Sequence, residues 1–428
     1  METIRIGLMG LGTVGTGVVR ILNDHRDDLT RQTGSTIEIR RVLVQNTEKP
    51  RDIALDSSLL TREAEDIVAA DDIDVVVEVM GGVELTKGLI ERALRSGKHV
   101  VTANKDLMAL HGAELVAIAR EHGCDIYYEA SVAGGIPIIR ALTESFSSDR
   151  IKRMFGIVNG TTNFILTKMS QEGASYEDVL KEAQALGYAE ADPTSDVEGL
   201  DAARKMAILA TLGFRMNVSL ADVDAKGITG VTKEDIQYGK RLGYELKLLG
   251  VAERDGDSVS VSVQPAMVRT SHPLAAVNGV FNAVYVYGEA VGETMFYGPG
   301  AGSLPTATSV VADLVAVVKN MRMGVNGKTL STAYKEKKLQ SDDRIFGKFF
   351  LLLHVEDKAG VLSQITQAFA ANEVSLESVL QQPNQENPKA EIIIITHDTN
   401  LSGMKNVIRE LGSMEVVNKI KSVYRVVG

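Results

Sequence analysis

Apolar side chains alternate at Ile4, Ile6 and Leu8 and then, past a glycine-rich turn, return at Val14, Val18, Val19 and Leu22. The first spacing is that of a strand and the second that of one face of a helix. Strand patterns follow at 37–44, 75–80, 98–102 and 125–129, with helical stripes around 85–94 and 114–121. This alternation predicts an α/β region built as a doubly wound parallel sheet with helices on both faces.

Past Pro137 the rhythm changes. Helices are predicted at 160–170, 176–186, 196–212 and 234–242, and strands at 246–252, 259–267 and 284–287, which describes a separate α+β domain. An apolar pattern over 306–321 predicts a helix that returns to the first sheet. Residues 324–347 are polar and include Lys335-Glu336-Lys337-Lys338, the composition of a linker. Beyond it, strands at 349–355, 376–381, 392–396 and 416–426 and helices at 360–371 and 403–411 give the order βαββαβ, a ferredoxin-like unit. The implied division is 1–136, 137–323, 324–347 and 348–428.

A chain of 428 residues exceeds what one core organises, in keeping with this division. Its 56 acidic and 46 basic side chains leave a net charge of -10, which argues against a nucleic-acid partner or an anionic membrane surface. No apolar run has the length of a membrane span, and the single cysteine, Cys124, has no partner for an internal disulfide. The first residues run directly into a strand pattern and not into a targeting segment, so the expected compartment is the cytoplasm. The seven histidines are scattered, and none stands at metal-ligand spacing from another or from Cys124.

Candidate chemistry begins at Gly10-Leu11-Gly12-Thr13-Val14-Gly15, which follows a strand and opens a helix. In that context the glycines serve a tight turn, close approach of a pyrophosphate and helix-strand packing, so a Rossmann-type dinucleotide site is expected. The second strand ends Val44-Gln45-Asn46 without the acid that binds ribose hydroxyls, and Arg41 and Lys49 lie nearby. NADP(H) is therefore favoured, with NAD(H) as the second cofactor. Lys105 follows the fourth strand at its carboxyl end and is expected to point into the crevice beside the second domain. Glu129 and the turn Val132-Ala133-Gly134-Gly135-Ile136 present a carboxylate and carbonyls, which suits a cation; by spacing alone an interdomain hinge is the better reading.

The densest cluster of charge lies between Glu190 and Lys205. Ser195 and Glu198 have capping-box spacing, which predicts a helix from about Asp196, with Glu198, Asp201 and Lys205 on one face. A lysine one turn after an acid is a candidate proton donor, although most such pairs are solvated ion pairs.

Taken in chain order, the glycine fingerprint, Thr102-Ala103-Asn104-Lys105, Asn159-Gly160-Thr161-Thr162-Asn163-Phe164 and the stretch from Glu190 to Lys205 make this chain resemble homoserine dehydrogenase. The βαββαβ unit, with Asp357-Lys358-Ala359-Gly360-Val361-Leu362 after its first strand, resembles an ACT domain, a module that senses amino acids. The resemblance implies reversible NAD(P)-dependent reduction of L-aspartate 4-semialdehyde to L-homoserine, on the route to threonine, methionine and isoleucine. It makes Lys205 the proton donor and acceptor, sets Lys105 against nicotinamide and substrate, and has Glu190 and Asp201 bind the amino-acid end, with Asp196 beside them. It gives Leu11, Gly12, Thr13, Val14, Thr102, Gly187 and Gly302 to the cofactor. It turns the presumed hinge into a sodium site of Glu129 and the carbonyls of Val132, Gly134 and Ile136. A homodimer or homotetramer regulated by threonine at the ACT domain is also implied. Two rivals stay open on the residues: another NAD(P)-dependent amino-acid dehydrogenase, or a non-catalytic regulator that binds a nucleotide and senses an amino acid. The presence of both Lys105 and Lys205 argues against the regulator, and Cys124 is poorly placed to be the nucleophile of an acylating dehydrogenase.

Overall fold

The computed structural model describes residues 2–328, 333–383 and 389–428. Six strands come first: β1 (Glu2–Met9), β2 (Ser35–Leu43), β3 (Leu60–Thr61), β4 (Val75–Glu78), β5 (His99–Thr102) and β6 (Ile126–Tyr127). They form a parallel sheet in the order β3-β2-β1-β4-β5-β6. The order reverses at β1 and β4, and ligands of such sheets bind at the carboxyl ends of the strands around that point. Val75, Val76 and Val77 are fully buried, as a central strand covered on both faces requires. The connecting helices are α1 (Thr13–Asp24), α2 (Arg26–Thr33), α3 (Glu65–Val68), α4 (Glu84–Arg95) and α5 (Lys105–Glu121).

The chain continues through α6 (Ile138–Arg140), β7 (Ile151–Ile157), α7 (Gly160–Glu172), α8 (Tyr176–Ala185), α9 (Thr194–Val197) and α10 (Leu200–Phe214). Then come β8 (Val223–Ala225), α11 (Lys233–Arg241), β9 (Tyr244–Asp255), β10 (Ser258–Arg269), β11 (Phe281–Gly288), β12 (Gly292–Pro299) and α12 (Ser303–Met323). The last elements are β13 (Phe346–Glu356), α13 (Val361–Ala371), β14 (Leu376–Pro383), β15 (Lys389–Thr396), β16 (Thr399–Asn400), α14 (Leu401–Ser413) and β17 (Val417–Val427).

Two compact units result. The first comprises Met1–Ile151, Arg204–Ala221 and Asn282–Lys337, and the second Lys152–Ala203, Asp222–Phe281 and Lys338–Gly428. In the first, Ala307, Val310, Val311, Leu314, Val317 and Val318 of α12 share a core with Val18, Val19 and Leu22 of α1 and with strands β1, β2 and β4. The second unit has strands in the order β7-β9-β10-β17-β13-β15-β14. Its last four strands, with α13 and α14 packed on Leu351, Leu353, Ile392 and Ile394, are the ferredoxin-like βαββαβ layer. Lys335 and Leu339, within the stretch read as a linker, each make an isolated bridge, to Met216 and Val259 respectively.

Several expectations need correction. The helix expected from Asp196 is two pieces, α9 and α10, because Gly199 has φ +79° and Glu198 is the C-cap of the first. Ser195 lies inside α9, whose N-cap position belongs to Pro193, and exposed Glu198 lies outside α10, the helix that carries Asp201 and Lys205. The strand read over 125–129 is only Ile126–Tyr127, and Glu129 begins a 3-10 turn. Strands β7 and β12 and the short strands β3, β8 and β16 have no counterpart among the predicted elements.

Candidate active site

The glycine turn is closed to other residues at two points. Gly10 has φ +105°, and a Cβ there would stand 2.9 Å from the Met80 amide nitrogen; one on Gly15 would stand 2.2 Å from the Gly10 carbonyl oxygen. Gly12, by contrast, faces open space as the N-cap of α1, a helix with no side-chain cap and no acid in its first turn. Half-buried Leu11 and Val14 and exposed Thr13 complete the turn. The first amides of α1, at the positive end of its dipole, are thus presented to a pyrophosphate. Gly302 reaches the same place, because Ser303 Oγ next to it donates to the Thr13 carbonyl at 2.7 Å. Past β2, Gln45 and Asn46 are exposed, and the Arg51 guanidinium braces their loop by donating to the carbonyls of Asn46 at 2.6 Å and Lys49 at 2.8 Å. Arg41 turns instead to the carbonyl of Arg40.

At the end of β5, the buried Thr102 hydroxyl donates to Glu78 Oε2 at 2.5 Å and accepts from the Asn104 amide at 3.0 Å. Asn104 caps α5 by accepting from the Leu107 amide at 3.1 Å. Lys105 is therefore the first residue of a helix and is half-buried. Its neighbour Asp106 pairs with Arg204 at 3.0 Å, and Arg204 immediately precedes Lys205 on α10. One ion pair fastens together the two helices that carry the candidate lysines.

In the second unit, Asn159 is the centre of the carboxylate cluster. Its Nδ2 donates to Asp196 Oδ1 at 2.7 Å and to Asp201 Oδ2 at 2.8 Å, while its Oδ1 caps α7 through the Thr162 amide at 2.8 Å. Asp201 is 4% exposed and Asp196 half-buried. Gly187, with φ +75°, and Glu190 lie on the exposed turn that follows α8. That turn is held by Thr161, whose hydroxyl donates to the Tyr188 carbonyl at 2.5 Å, and by Phe164, whose ring meets Tyr188 edge-on at 5.0 Å. The motif from Asn159 to Phe164 therefore orders both the turn and the two aspartates.

Glu129 is buried, and its carboxylate accepts from the amides of Ile139 at 2.7 Å and Arg140 at 2.8 Å. Burial still raises its pKa above the usual carboxylate value. Its own amide donates to Asp313 Oδ2 at 2.7 Å, and Asp313 also accepts from the Arg140 guanidinium at 2.9 Å. Burial, with the Glu129 charge beside it, pushes Asp313 up to about 8. Ala133 and Gly134 both have positive φ, +57° and +52°, so the loop curls and turns out its carbonyls. Gly134 O accepts from Ser309 Oγ at 2.7 Å and Ile136 O from the Ile138 amide at 2.8 Å, which leaves each carbonyl a second lone pair.

Sequence reasoning did not single out Glu78, Asp106, Asp313 or the bridging role of Asn159. For Glu78 and Asp313 a signal existed, a lone acid closing or interrupting an apolar run, Val75-Val76-Val77-Glu78 and Val310-Val311-Ala312-Asp313-Leu314. Cys124 is buried, and burial raises its thiol to about 11, which suits a packed side chain and not a nucleophile.

Three family models match along the chain: homoserine dehydrogenase, NAD binding domain, over 10–129; homoserine dehydrogenase over 137–315; and ACT domain over 349–415. A homoserine dehydrogenase of Bacillus subtilis is 59% identical over 100% of this chain and 99% of its own length. The crystal structure of a homoserine dehydrogenase from Thiobacillus denitrificans superposes with a TM-score of 0.94 at 39% identity, covering 100% of this chain and 98% of that one. A hyperthermophilic archaeal homoserine dehydrogenase in complex with NADPH covers 74% of this chain and 98% of its own, with a TM-score of 0.62 at 27% identity. Matched along its whole length at these identities, the chain belongs to the homoserine dehydrogenase family, as an oxidoreductase with a nicotinamide-binding domain and a C-terminal ACT domain.

Proposed function

We propose that the chain interconverts L-aspartate 4-semialdehyde and L-homoserine, with Lys205 and Lys105 as its catalytic residues. The observation that carries this reading is the Asp106–Arg204 ion pair, which joins the start of α5, where Lys105 stands, to α10, which carries Lys205. When bound, the reduced nicotinamide supplies hydride to the aldehyde carbon. Negative charge then grows on the substrate oxygen, and an ammonium aimed at it stabilises the transition state more than the neutral carbonyl. Lys205 fills that role, giving its proton to the oxygen and recovering it in the reverse direction. Lys105 contacts both nicotinamide and substrate. Glu190 and Asp201 bind the amino-acid end, with Asp196 beside them, and Asn159 orders the two aspartates.

Gly10, Leu11, Gly12, Thr13, Val14, Gly15, Thr102, Gly187 and Gly302 line the cofactor on this reading. NADP(H) is preferred, because the loop after β2 offers a 2'-phosphate no repelling acid at Gln45 or Asn46 and is braced by an arginine. The archaeal relative solved with NADPH supports the same choice. Sodium would be held by the Glu129 region and the carbonyls of Val132, Gly134 and Ile136, an all-oxygen set that suits a hard cation. Residues 1–136 then serve the cofactor, 137–323 the substrate and subunit contacts, and 348–428 a threonine effector, with 324–347 as the connection. The working form is a cytoplasmic homodimer or homotetramer.

The test is L-homoserine-dependent reduction of NADP and, in parallel, of NAD by the purified protein, with and without threonine. Turnover several-fold faster with NADP and slowed by threonine is expected. No turnover with either cofactor would overturn the reading.

A further inference from the structure

Glu78 closes β4 in register with the ends of both neighbouring strands. It pairs with Met9, the residue before Gly10, on one side and with Thr102 on the other. The side chain is fully buried. Oε1 accepts from the amides of Met80 at 2.9 Å and Gly81 at 3.0 Å, and Oε2 accepts from the Thr102 hydroxyl at 2.5 Å. Burial raises its pKa, and these donors oppose that rise.

The loop it holds touches two functional elements at once. Residues 79–80 lie against Gly10, where no Cβ fits. Gly81 and Gly82 follow with φ +76° and +75°, a left-handed pair that glycine adopts without strain and that the hydrogen bond from the Gly81 amide to Glu78 helps to fix. The Gly82 carbonyl accepts from Asn104 Nδ2 at 2.6 Å, and Asn104 is the cap that starts α5 at Lys105. From Glu78, then, one path runs through the Met80 amide to the nucleotide turn, and another through Thr102 and Asn104 to the catalytic lysine.

We propose that Glu78 is a positioning residue that locks the dinucleotide turn and Lys105 into a single arrangement. The inference rests on Lys105 acting in catalysis as proposed above. A carboxylate suits the post because it only accepts, and every group facing it donates. Glutamine keeps one acceptor for the two loop amides but turns an NH2 toward Thr102, which takes away the acceptor of the buried Thr102 hydroxyl.

Glu78→Gln, Glu78→Ala and Lys105→Ala are compared in the full chain by kcat, by KM for L-homoserine, by the NADPH dissociation constant from cofactor fluorescence, and by thermal melting. Glu78→Gln should lower kcat about tenfold and weaken NADPH several-fold, while still melting cooperatively. Glu78→Ala should lower both further. In the Lys105→Ala background, Glu78→Gln should leave kcat where Lys105→Ala put it and still weaken NADPH. Full kcat and NADPH affinity in Glu78→Gln, with only a lower melting temperature, would overturn the positioning role. So would a kcat loss that multiplies with that of Lys105→Ala. A Lys105→Ala enzyme with wild-type kcat would sink the underlying catalytic reading instead, which keeps the two failures distinct.

Discussion

Two pairs of acids in this chain are bound in opposite ways. In the first unit, Glu129 and Asp313 are buried, the Arg140 guanidinium donates to Asp313, and backbone amides donate to both carboxyls. In the second unit, Asp196 and Asp201 are drawn together by the one amide group of Asn159, whose Nδ2 donates to both carboxylates. The first arrangement is that of a structural joint. The second holds two carboxylates side by side on a shared amide, the arrangement that the proposed site for the substrate's amino-acid end uses. Residue type alone does not separate them; the partner does.

Lys247 repeats the lesson with the sign reversed. It is 1% exposed and donates to the Val277 carbonyl at 2.6 Å and Asn278 Oδ1 at 3.0 Å, both neutral. Burial pulls its pKa down to about 8, and Glu245 only partly opposes that. Neutral partners can order a buried charge, but they do not remove its cost.

The largest effect that could break the contrast is at Arg140. Arg140→Ala should leave the acids without their cation and cost about 3 kcal/mol of stability, read from urea unfolding, with little change in kcat of the folded fraction. Adding Asp313→Asn should recover part of that loss, and no recovery would contradict the pairing. Next in size is a pH effect. The folded pKa of Lys247 lies below its unfolded value, so the unfolded chain binds more protons from about pH 8 to 10.5 and this residue makes stability rise with pH across that window. Lys247→Met should remove that rise and be the more stable protein near pH 7, compared by urea midpoints across the range. The smallest effect is at Asn159. Asn159→Asp keeps an N-cap for α7 but adds a third carboxylate to the pair, so KM for L-homoserine should rise about tenfold with melting nearly unchanged. An unchanged KM would place the aspartates outside the substrate site.

Much of this architecture is legible in the sequence because period and punctuation agree. Gly10 to Gly15 sits between a period-2 and a period-3.6 stretch, and two strands of the βαββαβ unit show as the unbroken apolar runs 349–353 and 392–395, all buried. Legibility fails where a local signal competes with a backbone demand. The capping-box spacing of Ser195 and Glu198 is overridden by the left-handed Gly199, which divides the helix and turns Glu198 away from Asp201. Likewise β12 is not legible in the pattern because no residue of Gly292–Pro299 is fully buried and the segment carries little apolar contrast. The candidate lysines could be named from motifs, whereas the Asp106–Arg204 pair that joins their helices spans a separation no local pattern encodes. Glu78 and Asp313 were visible only as lone acids in apolar runs, and their partners arrive from other strands and helices.

The measurement that tests the account most directly is the steady-state oxidation of L-homoserine by Lys205→Ala beside the unaltered chain, with NADPH affinity taken from fluorescence on the same preparations. Loss of turnover by about a hundredfold or more at unchanged NADPH affinity is the predicted result. Wild-type turnover in the variant would contradict the assignment of proton transfer to Lys205.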